Sequence, residues 1–150
     1  MTTRPDIAAD APEWAKSQIA IVGASGYVGR LLTERLARTG HGVVAIARRA
    51  GGLPSGARVS ALGVDVSDVD ATVAALAGAD AAFYLVHAMA GGEGFAARDR
   101  GLATAFAQAA RKSGVRRIIY LGALGHDDLS PHLASRQEVG AVLGLSLIHI

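Results

Sequence analysis

Apolar positions in this chain fall into short runs separated by segments of helical period, and the alternation recurs along its length. Ile19-Ala20-Ile21-Val22 is a buried-strand run cut by Gly23. Tyr27 to Thr39 has helical spacing, with Val28, Leu31, Leu32 and Leu36 on one face and Gly40 as the stop. Val43 to Ala47 predicts a second strand, and Arg48 to Ala57, carrying Gly51, Gly52, Pro54 and Gly56, a loop. Val59 to Val64 is a weaker third strand. Ser67, with Asp70 three residues on, then predicts a capped helix that Gly78 ends. Ala82 to Val86 reads as a fourth strand, Ala88 to Gly94 as a loop of small residues, and Phe95 to Ser113 as a long helix stopped by Gly114. Arg117 to Leu121 is a fifth strand, and Ser130-Pro131 has the form of an N-cap with proline at the first position of a last helix.

No Asn-Gly-type hairpin turn joins consecutive strands, so the strands are expected to be parallel and joined by crossovers. Right-handed crossovers wind helices onto both faces of a sheet. The pattern therefore predicts a doubly wound parallel α/β sheet, a Rossmann architecture of five strands in the order 3-2-1-4-5. Residues 1–18, with Pro5 and Pro12 and no sustained period, predict a flexible leader before a domain over 19–144. The last six residues, Leu145 to Ile150, match the translation of a transposon end used in sequencing-library preparation. They are expected to lie outside the fold, and the natural chain is expected to continue past Gly144.

Composition narrows the functional classes. Hydrophobic residues make up 51% and charged residues 19% of the 150, which excludes disorder of the whole chain. The net charge is only +2 and no Lys/Arg block stands out, so no nucleic-acid partner is expected. Cysteine is absent, excluding a disulfide framework, a thiolate zinc site and a cysteine nucleophile. The uncharged stretches Ala81 to Gly92 and Val139 to Ile150 are shorter than the ~20 residues of a spanning helix. Arg4, Asp6, Asp10, Glu13 and Lys16 exclude a signal peptide at the start. These features predict a cytoplasmic protein without a membrane span.

Gly23-Ala24-Ser25-Gly26-Tyr27-Val28-Gly29 is a G-x-x-G-x-x-G turn between the first strand and the first helix. Such a turn needs glycine for its tightness, for backbone approach to a pyrophosphate, and for helix–sheet packing. The N–H groups and dipole at the helix start would hold the phosphates. An NAD site calls for an acid after the second strand, to bond the ribose 2′-OH. Between Glu34 and Asp65 there is neither Asp nor Glu, and Arg48 and Arg49 stand at the end of the second strand. An arginine fork suits a 2′-phosphate, so NADP(H) is expected in preference to NAD(H). Arg35, Arg38 and Arg58 share the interval and include solvated surface charges.

Gly23 to Gly29, Arg48-Arg49, Asp65-Val66 and Ile118 to Leu121 together resemble the atypical short-chain dehydrogenase/reductases. The nearest branch is the NmrA-like NAD(P)H-binding one, close to forms akin to a respiratory complex I accessory subunit. The likeness runs from Ile19 to Gly144. Its more particular parts are Tyr84-Leu85-Val86-His87 and the segment Ser130 to Arg136. The resemblance implies that Asp65 bonds the adenine amino group and Val66 flanks the ring, although Asp65 also suits turn chemistry before Ser67. It puts His87 at the carboxyl edge, where ligands sit, or else in a plain exposed loop.

Active members of that family carry Tyr-x-x-x-Lys on the helix after the fifth strand. Here the aligned positions are His132 and Arg136, and Ala123 stands where a hydroxyl residue commonly ends the strand. Histidine can act as a general acid near neutral pH, and the four-residue spacing puts it on Arg136's helix face. Arg136 stays charged, so it could steady a ribose or lower the pKa of His132, but it cannot relay a proton. Each has a plainer reading, His132 as a first-turn surface residue and Arg136 as an exposed charge. His126, Asp127 and Asp128 fit no metal-site spacing. Two functions remain: an oxidoreductase moving hydride to or from an unidentified small substrate, or a module that binds NAD(P)H without turnover. An epimerase-type enzyme would also need the missing tyrosine.

Overall fold

Strands whose apolar residues run without polar alternation need cover on both faces. The first two strands of this chain receive it. The computed structural model describes residues 17–87, 92–122 and 130–144. In chain order the elements are β1 (Gln18–Val22), α1 (Tyr27–Arg38), β2 (Gly42–Ala47), β3 (Val59–Gly63), α2 (Val69–Leu76), β4 (Ala81–Tyr84), α3 (Phe95–Ser113), β5 (Arg117–Tyr120) and α4 (Pro131–Gly144). All neighbouring pairs are parallel and the order is β3-β2-β1-β4-β5, the doubly wound arrangement the pattern predicts.

Successive residues of a strand point to opposite faces, and the core divides accordingly. Ala20, Val22, Val44, Ile46, Ala82, Tyr84 and Ile118 face α2, α3 and α4, and the Tyr84 and Phe106 rings lie there with centroids 4.7 Å apart. Ile19, Ile21, Val43 and Ala45 face the other way, toward Leu32, Leu36 and Ala37 of α1. No helix joins β2 to β3. The connecting loop instead buries Leu53 in the α1-side core.

Three local expectations change. The strand β1 begins at Gln18, inside the segment expected to be leader. Its Gln18 N–H donates to Asp80 Oδ2 at 3.0 Å, and Ser17 N–H donates to His41 Nδ1 at 3.2 Å. The face of α1 is rotated from the one the apolar residues suggest: Gly29 and Thr33 are buried, while Val28 and Leu31 are 46% and 52% exposed. The Thr33 hydroxyl donates to the Gly29 carbonyl at 2.7 Å, which satisfies the buried polar group. The cap of α2 is Asp68, accepting from Ala71 N–H at 3.0 Å, because Asp65 takes both the N–H and the hydroxyl of Ser67. On α4 the expected cap forms, with Ser130 Oγ accepting from Leu133 N–H at 3.4 Å.

Between α3 and α4 lies a buried polar contact, Ser135 Oγ donating to Asp99 Oδ2 at 3.1 Å, with Arg100 and Glu138 paired on the outer surface. Among the described residues no helix is long and apolar enough to cross a membrane, and no group of three metal-ligating side chains occurs. Residues 1–16 of the expected 1–18 leader, and the terminal hexapeptide 145–150, lie outside the described residues. So do Ala123, His126, Asp127 and Asp128.

Candidate functional site

The turn from β1 into α1 sits at the carboxyl edge of the sheet, beside the ends of both neighbouring strands. Gly23 and Ala24 N–H groups both donate to the Ile46 carbonyl at the end of β2, at 2.9 and 3.0 Å. On the other side Leu85 N–H donates to the Val22 carbonyl at 2.8 Å.

Its three glycines are there for different reasons. Gly23 has φ +94°, and a Cβ on it would lie 2.8 Å from the Leu85 carbonyl carbon and oxygen. A Cβ on Gly29 would overlap the Gly23 carbonyl oxygen and come within 2.7 Å of Ala24 Cα, so the first turn of α1 rests directly on the loop. Gly26 is neither strained nor crowded. It has φ −72° and ψ 168°, and its nearest neighbour would be the Gly23 carbonyl oxygen at 3.5 Å. Among the described residues, the N–H groups of Ser25, Tyr27, Val28 and Gly29 have no acceptor. No side chain caps α1 and no acid lies in its first turn. The positive end of the helix dipole is left open over this loop.

The arginines separate by edge. Arg58 donates to the Gly40 carbonyl at 3.1 Å, near the amino ends of β2 and β3, and Arg38 pairs with Glu34 at 3.6 Å along α1. Arg48 and Arg49 are exposed and follow β2 at the carboxyl edge. The segment they begin folds over the end of β3, where Ala50 N would lie 3.2 Å from a Cβ on Gly63. Asp65 follows β3. The Ser67 hydroxyl and N–H, with Arg48 nearby, hold its carboxyl below the usual carboxylate range. Its Oδ1 accepts both Ser67 bonds, so the turn role is present. Val66 is 6% exposed and packs into the core, which leaves a ring only the edge of a packed side chain.

Past β4 and β5 the arrangement differs from a tyrosine–lysine pair. His87 is half-buried, its ring centroid 6.3 Å from that of Tyr120. Burial, then the Arg136 charge, push its pKa down, and Asp99 opposes them. Tyr120 donates its hydroxyl to the Arg136 carbonyl at 3.1 Å. Burial pushes Tyr84 and Tyr120 up, so both are protonated phenols at neutral pH. His132 is exposed and stacks on Phe95 at 4.5 Å between ring centroids. No hydrogen bond or ion pair joins it to Arg136. The helix spacing is as expected, but Arg136 lies toward His87 and His132 toward Phe95.

A family model described as NAD(P)H-binding matches residues 23–144. This chain belongs to the NAD(P)H-binding family. An uncharacterised protein of Mycobacterium tuberculosis is 48% identical over 64 residues, which are 42% of this chain and 7% of that protein. The oxidoreductase ylbE of Lactococcus lactis is 26% identical with TM-score 0.73, the match covering 87% of this chain and 64% of that one. WbmG of Bordetella bronchiseptica, solved with NAD and UDP, is 23% identical with TM-score 0.75, over 90% of this chain and 52% of that one. NmrA, a negative transcriptional regulator solved with NADP, is 23% identical with TM-score 0.72, over 88% of this chain and 43% of that one. The chain thus spans less than two thirds of each of these relatives.

Two groups at this family member's carboxyl edge are not evident from motif reading. Asp99 carried a signal: it falls on the face of α3 that also holds Ala103, Phe106, Ala107 and Ala110, where a charge needs a reason. Arg30 carried none. It follows the last glycine of the turn, and only the fold shows that its Nε donates to the Ser25 carbonyl at 3.1 Å.

Proposed function

We propose that this NAD(P)H-binding chain takes NADP(H) in preference to NAD(H), and that the whole protein moves hydride between that cofactor and a small substrate. The pyrophosphate would lie over Gly26 and the open N–H groups of Ser25, Tyr27, Val28 and Gly29. Gly26 carries the reading. Packing and backbone shape require glycine at 23 and 29, whereas at 26 neither does, and beyond its use as an N-cap the missing side chain leaves the turn open to a ligand.

Arg48 and Arg49 would meet the 2′-phosphate, and the absence of any acid between Glu34 and Asp65 removes the repulsion it would otherwise meet. Asp65 Oδ2, outside the Ser67 turn, would face the adenine amino group beside Val66. When bound, the nicotinamide supplies the hydride and the protein supplies orientation and electrostatics. His87 and Arg136 border the carboxyl edge of β4 and β5, where a reacting group would lie. A neutral His87 would accept or hold a proton, and Arg136 would stabilise negative charge.

A second reading, a dinucleotide-binding module without turnover, is favoured by one observation. His132 is stacked on Phe95 and not paired with Arg136, so the position of the usual tyrosine offers no assembled acid–cation pair. The test is titration with NADPH and with NADH, followed by reduced-nicotinamide fluorescence. Tighter NADPH binding that an Arg48→Ala/Arg49→Ala double variant loses supports the first site. Folded protein that binds neither nucleotide overturns it. Turnover of NADPH with simple carbonyls or quinones then separates the two readings.

A further inference from the structure

We propose that Arg30 is a third arm of the 2′-phosphate site and the residue that sets its preference, acting from the helix side opposite Arg48 and Arg49. The inference rests on the dinucleotide reading and deepens it.

Arg30 is the fourth residue of α1 and is exposed. A cation so close to a helix start works against the partial positive charge there, and no acid in the first turn offsets it. Among the described residues no carboxylate pairs with it. Its position is nonetheless defined. Nε donates to the Ser25 carbonyl at 3.1 Å, so the side chain folds back over the glycine turn. Its terminal nitrogen Nη2 reaches the loop after β2, lying 3.9 Å from where a Cβ of Gly52 would be. Gly52 has φ +79°, so that loop holds a backbone shape few other residues would adopt.

The guanidinium therefore bridges the seam between the phosphate turn and the Arg48-Arg49 segment. Its Nε–H is committed to the protein and its terminal N–H groups are left for a ligand. The four N–H donors that remain, held in a fixed fork, suit a phosphate dianion, whereas a ribose hydroxyl gains little from a further cation. A purely structural clip would need the donor to Ser25 but not the charge.

That distinction gives the experiment. Arg30→Gln keeps an N–H donor and removes the charge; Arg30→Lys keeps the charge and removes the fork. Both variants and the unaltered protein are titrated with NADPH and with NADH, with displacement by adenosine 2′,5′-bisphosphate, and circular dichroism melts check the fold. The expected result is NADPH affinity reduced about tenfold by Arg30→Gln, NADH affinity held within about twofold, and a partial return with Arg30→Lys. Equal weakening of both nucleotides, or no change in either, overturns the proposal. Unaltered protein that binds NADH as well as NADPH overturns it while leaving the dinucleotide site standing. Binding of neither overturns both.

Discussion

Alanine at each glycine of the turn should separate the glycines the fold needs from the one the ligand needs. At Gly26 the backbone is extended, with φ −72° and ψ 168°, and a new Cβ would meet nothing closer than 3.5 Å. Alanine there restricts the unfolded chain, which stabilises by about 0.4–1 kcal/mol. As an N-cap alanine is poorer than glycine by a comparable amount. The two effects offset, so Gly26→Ala should melt within about 2 °C of the unaltered protein. At Gly29 the Cβ would press on backbone atoms of Gly23 and Ala24 that cannot swing away, an overpacking worth about 1–3 kcal/mol. At Gly23 a similar clash with Leu85 adds to a φ of +94°, which costs about 1–3 kcal/mol on its own. The order of melting temperatures should be Gly26→Ala, then Gly29→Ala, then Gly23→Ala, read by circular dichroism. In nucleotide titrations Gly26→Ala should nonetheless lose NADPH binding, because its methyl group would occupy the place proposed for the pyrophosphate. A Gly26→Ala melt as low as that of Gly29→Ala would refute the packing argument, and full NADPH affinity in Gly26→Ala would refute the ligand argument.

Phe106 is fully buried against Tyr84, so Phe106→Ala should cost about 3–5 kcal/mol in denaturant unfolding; a loss below about 1 kcal/mol would mean that α3 is not seated as described. Ser135→Ala takes one donor from the buried Asp99 carboxylate and should cost about 1–2 kcal/mol, whereas a neutral result would place Asp99 in water. His87 has a folded pKa below its unfolded value, so the folded state binds its proton less readily. Its contribution to stability is complete above about pH 6.5 and is lost as pH falls through the lower folded value. His87→Gln should flatten the stability–pH curve on the acid side of about pH 6.5, and an unchanged slope would show that His87 titrates as an ordinary surface histidine.

The strands were legible because a parallel sheet covered on both faces leaves nearly unbroken apolar runs, and Ile19 to Val22 or Val43 to Ala47 could be little else. Helix α1 was legible in extent but not in orientation. Apolar spacing favours Val28 and Leu31, yet the sheet takes the smaller Gly29 and Thr33, since the helix must approach closely and Thr33 can satisfy its hydroxyl on its own backbone. The start of α2 moved by one residue because Asp65 and Asp68 both compete for local donors, and the winner depends on where β3 ends. At the candidate site, the glycine turn and the Arg48-Arg49 pair are contiguous motifs and could be read directly. Arg30, Asp99 and the environments of His87 and His132 arise from side chains meeting across elements, which residue spacing does not encode.

The central strand β1 acquires its two neighbours on different schedules. Strand β2 follows it after one helix, so that pairing closes over a short stretch of chain. Strand β4 arrives only after β3 and α2, and the hydrogen bond between Gln18 and Asp80 at its start joins residues 62 apart. Closing a loop of that length costs chain entropy before its contacts repay it, and folding slows as contacting residues grow more distant in sequence. Gly23 is shaped to lie against Leu85, beyond the end of that late strand. The glycine turn of a refolding chain is therefore expected to reach its final form only once β4 has paired with β1, and nucleotide binding followed in real time would report that pairing.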